Sequence, residues 1–218
     1  MRVYHFIDEK WGLDNIRRRR LKIARISDLN DPFELEIASP DPTVRRAFRE
    51  TKARLNGWAG LLCFSRDWRN PVQWAHYADR HRGLCLGFDI PDPLLTTVVY
   101  RSRLLKADMV AMNGADDRQW EFYKKVLSTK YTHWKYENEV RLFIKLDDED
   151  VQAKGLYFKS FDSEMVLKEV IVGHRSELLR KDLIDAIGEK AGSVRVRRGR
   201  LAFNSYRVVT QSNPALWE

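Results

Sequence analysis

Cysteine is almost missing from this chain. Cys63 and Cys85 are the only two, and neither CxxC pairing nor metal-type spacing joins them. Each sits in an apolar, strand-like run, so reduced thiols in a cytoplasmic setting are expected. No hydrophobic run approaches the ~20 residues of a membrane-crossing helix. The opening MRVYHF has no apolar signal-peptide core. A soluble, intracellular protein without a membrane partner is therefore expected. Also missing are a P-loop, GxGxxG, GxSxG and HExxH, which removes the easily recognised nucleotide-hydrolase, Rossmann, α/β-hydrolase and zincin readings. There is no internal repeat, linker or low-complexity segment.

What is present is aromatic and basic. The 218 residues include seven Trp, eight Tyr and ten Phe, and 44% are hydrophobic, enough for one real core. Such rings suit a packed interior or a site that stacks flat rings. Thirty-nine basic residues against 31 acidic ones leave a net charge of +8. A polyanionic partner, such as nucleic acid, fits that balance, as does a plain solvated surface. Arginine is clustered at Arg17, Arg18, Arg19 and Arg20, and again at Arg195, Arg197, Arg198 and Arg200.

Periodicity and turn chemistry divide the chain into short elements. Strands are expected over residues 1–7, 21–26, 61–64, 84–88, 98–101, 137–146, 156–159 and 169–172. Helices are expected over residues 12–19, 41–57, 70–83, 116–131 and 176–190. Asp41-Pro42 and Asn70-Pro71 are helix starts, each with an N-cap followed by proline at the first position. Residues 28–34 (DLNDPFE) read as a turn and 147–150 as an acidic loop. Residues 193–209 read as a hairpin turning near Gly199. The expected fold is a strand-rich α+β single domain over residues 1–218, with mixed and antiparallel sheets and flanking helices.

Residues 63–88, CFSRDWRNPVQWAHYADRHRGLCLGF, concentrate aromatic, imidazole and hydroxyl groups between two buried-looking strands. Helical spacing puts Trp74, Tyr77, Ala78 and His81 on one face and His76 on another. Ser65, Trp74, His76, Tyr77 and His81 are site candidates, with packing as the alternative for each. Tyr4 and His5 offer a hydroxyl and an imidazole on the first strand. His5 suits a ribose hydroxyl or a phosphate, or a part-buried structural place. In Tyr136-Glu137-Asn138-Glu139-Val140-Arg141, strand alternation puts Glu137, Glu139 and Arg141 on one face. One carboxylate can stabilise a developing cation or act as a base while the other orients an acceptor. A salt-bridged strand face is the alternative. Asn30-Asp31-Pro32-Phe33-Glu34 reads as a turn held by Asx hydrogen bonds.

Taken in order, SDLNDPFE, CFS, WAHYADRHRGLCLGFD and KYTHWKYENEVR resemble the successive motifs of the bacterial family called domain of unknown function 2971, over residues 4–173. That family carries no assigned activity. The chain also resembles the ADP-ribosyltransferase superfamily, and its opening is similar to that of DNA- and RNA-modifying members. The second resemblance implies that His5 holds a ribose, that Ser65 or Tyr77 stands at the nicotinamide, and that Glu139 is catalytic with Glu137 as its partner. It implies NAD as a consumed substrate, held by Tyr4, His5, Ser65, Trp74, His76 and Tyr77, with no metal. The acceptor would be a nucleic acid or a protein, with phage defence or a toxin system as the setting. Two other classes stay open: a nuclease or nucleic-acid-binding effector using Glu137, Glu139 and a histidine, and a non-enzymatic interaction protein.

Overall fold

The first strand, β1 (Arg2–Ile7), buries Val3 completely and lies in the middle of the largest sheet. The computed structural model describes residues 1–112, 116–146, 151–152 and 155–217; the acidic run at 147–150 lies outside them. Asp8 caps α1 (Glu9–Arg18) by accepting from the Trp11 backbone N–H. Then come β2 (Arg20–Lys22), β3 (Ala24–Arg25), β4 (Ile37–Ala38) and α2 (Pro42–Trp58). Asp41 caps α2 and Pro42 opens it, as the sequence implies. The buried strand β5 (Ala59–Ser65) leads to α3 (Pro71–Tyr77), capped by Asn70, and to β6 (Leu84–Asp89).

Short elements fill the middle of the chain: β7 (Leu95–Thr97), β8 (Val99–Arg101), β9 (Leu105–Lys106), α4 (Met109–Met112), α5 (Asp116–Leu127) and β10 (Thr129–Tyr131). The last third holds β11 (Glu139–Lys145), β12 (Val151–Gln152), β13 (Leu156–Ser160), β14 (Val166–Val172), α6 (Arg180–Ile187), β15 (Arg195–Leu201) and β16 (Val208–Thr210).

Among the described residues the largest sheet has nine strands, in the order β16-β15-β14-β6-β1-β5-β11-β7, with β3 also beside β5. Its neighbours are antiparallel except β14 and β15, so the sheet is mixed and the fold is α+β. One face packs Val3, Leu62, Phe64 and Val140 beneath α1 and α6. On the other face, Leu61 packs against Phe48 and Leu55 of α2 and Val126 of α5. Phe6, Cys85 and Ile171 pack against Trp74 of α3. Each such large apolar side chain contributes about 1.5–3 kcal/mol of burial. Cys63 and Cys85 are both free.

The feature that makes room for a site is a split in the sheet. β1 and β5 are paired at one position, Tyr4 opposite Ser65. Further along β5, the place beside Leu61 and Gly60 is taken by β3. The two central strands therefore diverge, and the gap opens toward the turn at residues 28–34.

Several sequence expectations fail locally. The helix from residue 70 ends at Tyr77, because Asp79, Arg80 and His81 take positive φ angles of 41°, 53° and 73°. That turn brings the chain back to Gly83, where a Cβ would stand 2.2 Å from the Ile7 carbonyl oxygen, so only glycine fits. The strand expected over 21–26 is two strands, since β2 pairs with β13 and β3 with β5. The helix expected over 116–131 stops at Leu127, and β10 runs parallel to β8. Glu137 ends a 3-10 helix, Thr132–Glu137, and left-handed Asn138 (φ 46°) separates it from the strand. The helix expected over 176–190 is α6 followed by a 3-10 helix, Gly188–Ser193. Gly199 is inside the hairpin, opposite Thr210, and the turn lies at residues 202–207. A Cβ at Gly199 would come 3.0 Å from Val208 Cγ1, so this glycine serves packing rather than turning.

Candidate active site

At the split in the sheet is a cavity of about 220 Å³ lined by residues remote in sequence. Tyr4 and His5 come from β1, Ser65 from β5, Gln73 and Tyr77 from α3, and Lys130 from β10. Glu137, Glu139, Asn30 and Glu34 complete the wall that carries most of the chemistry.

Glu139 and Arg141 stand opposite Ser65 and Cys63 in the β11–β5 register, so their side chains share one face of the sheet. The Arg141 guanidinium is fully buried. Its Nε donates to Glu139 Oε1 at 2.7 Å and its Nη2 to Glu139 Oε2 at 3.2 Å. On its other side, Nη1 and Nη2 donate to the two Glu34 oxygens at 2.8 and 2.7 Å. Nη1 also donates to the Leu127 carbonyl. A planar guanidinium clamped between two carboxylates keeps its charge hydrogen-bonded without water.

Lys130 is the second cation. Strand β10 turns it inward between Thr129 and Tyr131. Its ammonium lies 2.7 Å from Glu137 Oε2, 3.3 Å from Glu139 Oε2 and 3.4 Å from Glu34 Oε1. The Trp134 ring covers it, 4.9 Å from Nζ to centroid. Glu34, Glu137 and Glu139 thus face Lys130 and Arg141, leaving one net negative charge beside the cavity.

The two glutamates of the Glu-x-Glu pair are not equivalent. Burial pushes Glu139 upward, but Arg141 and Lys130 outweigh it and hold the carboxyl at about 2. Glu139 stays anionic. Burial also pushes Glu137 upward, and there the Lys130 contact does not offset it, so its pKa is raised. Tyr77 donates a short hydrogen bond to Glu137 Oε1 and accepts from Asn30 Nδ2 at 2.8 Å. Burial first, then the Glu137 contact, raises the Tyr77 hydroxyl pKa.

His5 lies in the gap between the diverging strands. Its Nδ1 is 3.1 Å from the Cys63 carbonyl oxygen, which only accepts. Burial lowers the imidazole pKa against the opposing effect of that carbonyl, so the ring is neutral at pH 7. Nδ1 then carries the proton and Nε2 is left as an acceptor. Ser65 is tied down: its hydroxyl donates to the Asp67 carbonyl at 3.0 Å and accepts from Gln73 Nε2 at 3.0 Å. Tyr4 lines the cavity while its hydroxyl donates to Glu169 at 3.1 Å.

No family model, curated protein or solved structure compared with this chain matches it. The chemistry of the site rests on its own geometry.

The expected candidates divide clearly. Tyr4, His5, Ser65, Tyr77, Glu137 and Glu139 meet at one cavity. Trp74 does not reach it: the ring is fully buried with Phe6 and Cys85, and its Nε1 donates to the Trp68 carbonyl at 2.6 Å. His76 does not line it either; its Nδ1 is 3.0 Å from the Tyr136 hydroxyl near the surface. His81 has left the helix and packs against His174, centroids 4.8 Å apart. Glu137 and Glu139 do share a site, although not as alternate residues of one strand, because left-handed Asn138 turns the chain between them.

Sequence reasoning missed Lys130 as a site residue and took Glu34 and Asn30 only as parts of a turn. Residues 31–33 do form that turn, with Phe33 N–H donating to Asp31 Oδ1 at 2.9 Å. Positive φ at Leu35 (53°) then redirects the chain beyond Glu34. The available signal was a lysine at the inward parity of a short strand, ahead of a carboxylate pair. In the arginine run at 17–20, Arg17 and Arg18 are exposed and Arg19 and Arg20 are half-buried. Arg18 pairs with Asp14 at 2.9 Å, while Arg19 and Arg20 lie over the rings of Phe161 and Phe158.

Proposed function

We propose that this cleft cleaves the nicotinamide–ribose bond of NAD and transfers ADP-ribose to a nucleic-acid or protein acceptor. The observation that carries the proposal is the meeting of His5, Ser65, Tyr77, Glu137 and Glu139, from five separate segments, at one small cavity. At about 220 Å³ the cavity suits a nicotinamide ring and part of its ribose, with the rest of the dinucleotide reaching outward.

The roles follow from the electrostatics. As the C–N bond breaks, its electron pair leaves with nicotinamide and positive charge grows on the ribose. Glu139, ionised at every ordinary pH, and the net negative charge of its cluster stabilise that cation. His5 Nε2 accepts from a ribose hydroxyl. Glu137, with its raised pKa, takes the proton of the attacking acceptor group through or beside Tyr77. The new bond joins the acceptor to the ribose carbon, and nicotinamide and one proton are released. The sequence resemblance to ADP-ribosyltransferases supports this assignment of roles. A divalent ion on the same carboxylates would have to displace the Lys130 ammonium, which weighs against the metal-dependent nuclease alternative.

The test is nicotinamide release from NAD by the purified chain, with and without added oligonucleotide and protein acceptors. Thermal stabilisation by NAD relative to buffer alone checks binding apart from turnover. Neither stabilisation nor nicotinamide release under any acceptor condition would refute the proposal.

A further inference from the structure

A second concentration of functional groups lies across α3 from the cavity. That helix presents Gln73 and Tyr77 to the cavity and Pro71 and Ala75 to a trough of about 860 Å³. The other walls are the loop joining β15 to β16 and the pair His174 and Arg175.

The loop is unusual in what it exposes. Phe203 is 94% and Tyr206 97% exposed. Two whole aromatic rings held in water give up the burial that normally retains them, which marks a contact surface. The Arg200 guanidinium lies over the Phe203 ring, 4.4 Å from its centroid. Residues 195–207 contain five arginines and no acidic residue. Arg80, Arg175 and Arg207 line the trough with no carboxylate among the lining residues. Nearby, Asp67 accepts from Arg207 at 3.2 Å, and Asp79 is paired with Arg82 at 3.1 Å. Arg80 and Arg175 are exposed and make no ion pair among the described residues.

We infer that this trough binds single-stranded nucleic acid, with bases stacked on Phe203 and Tyr206 and phosphates held by Arg80, Arg175 and Arg207. The charge selects a polyanion, and the open rings select one with unpaired flat faces, since a duplex hides its bases in the stack. A strand lying there passes about one helix diameter, ~10 Å, from the cavity across α3. The surface stands independently of the chemistry of the cavity and is tested without NAD.

The experiment is fluorescence anisotropy on the full chain with a labelled oligo(dT) of about 20 nucleotides and a duplex of equal length. Phe203→Ala and Tyr206→Ala should each weaken oligo(dT) binding by about 5- to 150-fold, the range for a lost stacked base. Both rings are exposed, so an unchanged melting temperature should confirm folding. Arg80→Gln and Arg175→Gln should each lower the slope of log affinity against log salt by about one unit. Unchanged affinity in the double aromatic variant would overturn the inference. So would duplex binding as tight as single-strand binding, or capture by anionic phosphatidylserine vesicles without capture of the oligonucleotide.

Discussion

Replacing Glu139 by Gln removes one charge and keeps the shape, and the structure sets how much that should cost. Glu139 accepts two bonds from Arg141, at 2.7 and 3.2 Å, and one from Lys130 at 3.3 Å, almost wholly out of water. A glutamine amide offers one oxygen and one NH₂, so a donor must face a donor at one of those places. The carboxyl pKa, depressed from the usual 4.5 to about 2, measures the favourable surroundings of the charge. A depression of that size corresponds to about 3 kcal/mol at neutral pH. Because the folded value is the lower one, this stability is present above the unfolded value and is lost as pH falls through 2. Glu139→Gln should therefore lower stability by about 3 kcal/mol at pH 7, a fall in melting temperature of roughly 6–12 °C for a chain of this size. Urea titrations should show the gap between mutant and wild type closing from pH 5 downward. Turnover per folded molecule, with the folded fraction taken from near-ultraviolet circular dichroism, should drop about 10²–10⁴-fold. A stability gap that stays constant down to pH 3 would refute the account of the buried network. A folded mutant with wild-type nicotinamide release would refute the catalytic role.

Other substitutions separate the parts of the site. Glu137→Gln should change stability by less than about 1 kcal/mol, since its raised pKa shows that the buried charge is poorly compensated. It should also abolish the acid limb of the pH–rate profile, which in the wild type is displaced upward from that of a free carboxylate; a limb that persists assigns the base elsewhere. Lys130→Met leaves three carboxylates against Arg141 alone and should cost about 3–5 kcal/mol, read as a lower urea midpoint. Gly83→Ala forces a Cβ to 2.2 Å from the Ile7 carbonyl and should cost at least about 1–3 kcal/mol; an unchanged melting temperature contradicts the close approach. Arg17→Gln with Arg18→Gln, both exposed, should leave stability within about 0.5 kcal/mol and the oligonucleotide salt slope unaltered.

Local chemistry determined a large part of this protein. Asp41-Pro42 and Asn70-Pro71 start helices because an acceptor side chain and a preset φ act within a few residues, whatever the rest of the chain does. The apolar runs of β5, β6 and β14 read as buried strands because their content leaves no other place for them. The α+β class follows from such elements. The cavity-lining residues His5, Ser65, Tyr77, Glu137 and Glu139 were legible as polar groups bordering those runs.

What only the tertiary structure decided depends on distant parts of the chain. The cavity exists because β3 displaces β1 from the side of β5, and strand spacing does not encode a choice of neighbour. Lys130 came to line the cavity because β10 pairs with β8 and aims it at carboxylates seven to 96 positions away in the numbering, including Glu34. The contrast between Glu137 and Glu139, identical side chains two residues apart, comes from Arg141 clamping one and not the other. Trp74 and His76 stand away from the cavity for the same reason. Helical spacing ranks side chains around an axis, but only the packing of α3 on the sheet decides which face meets the cavity.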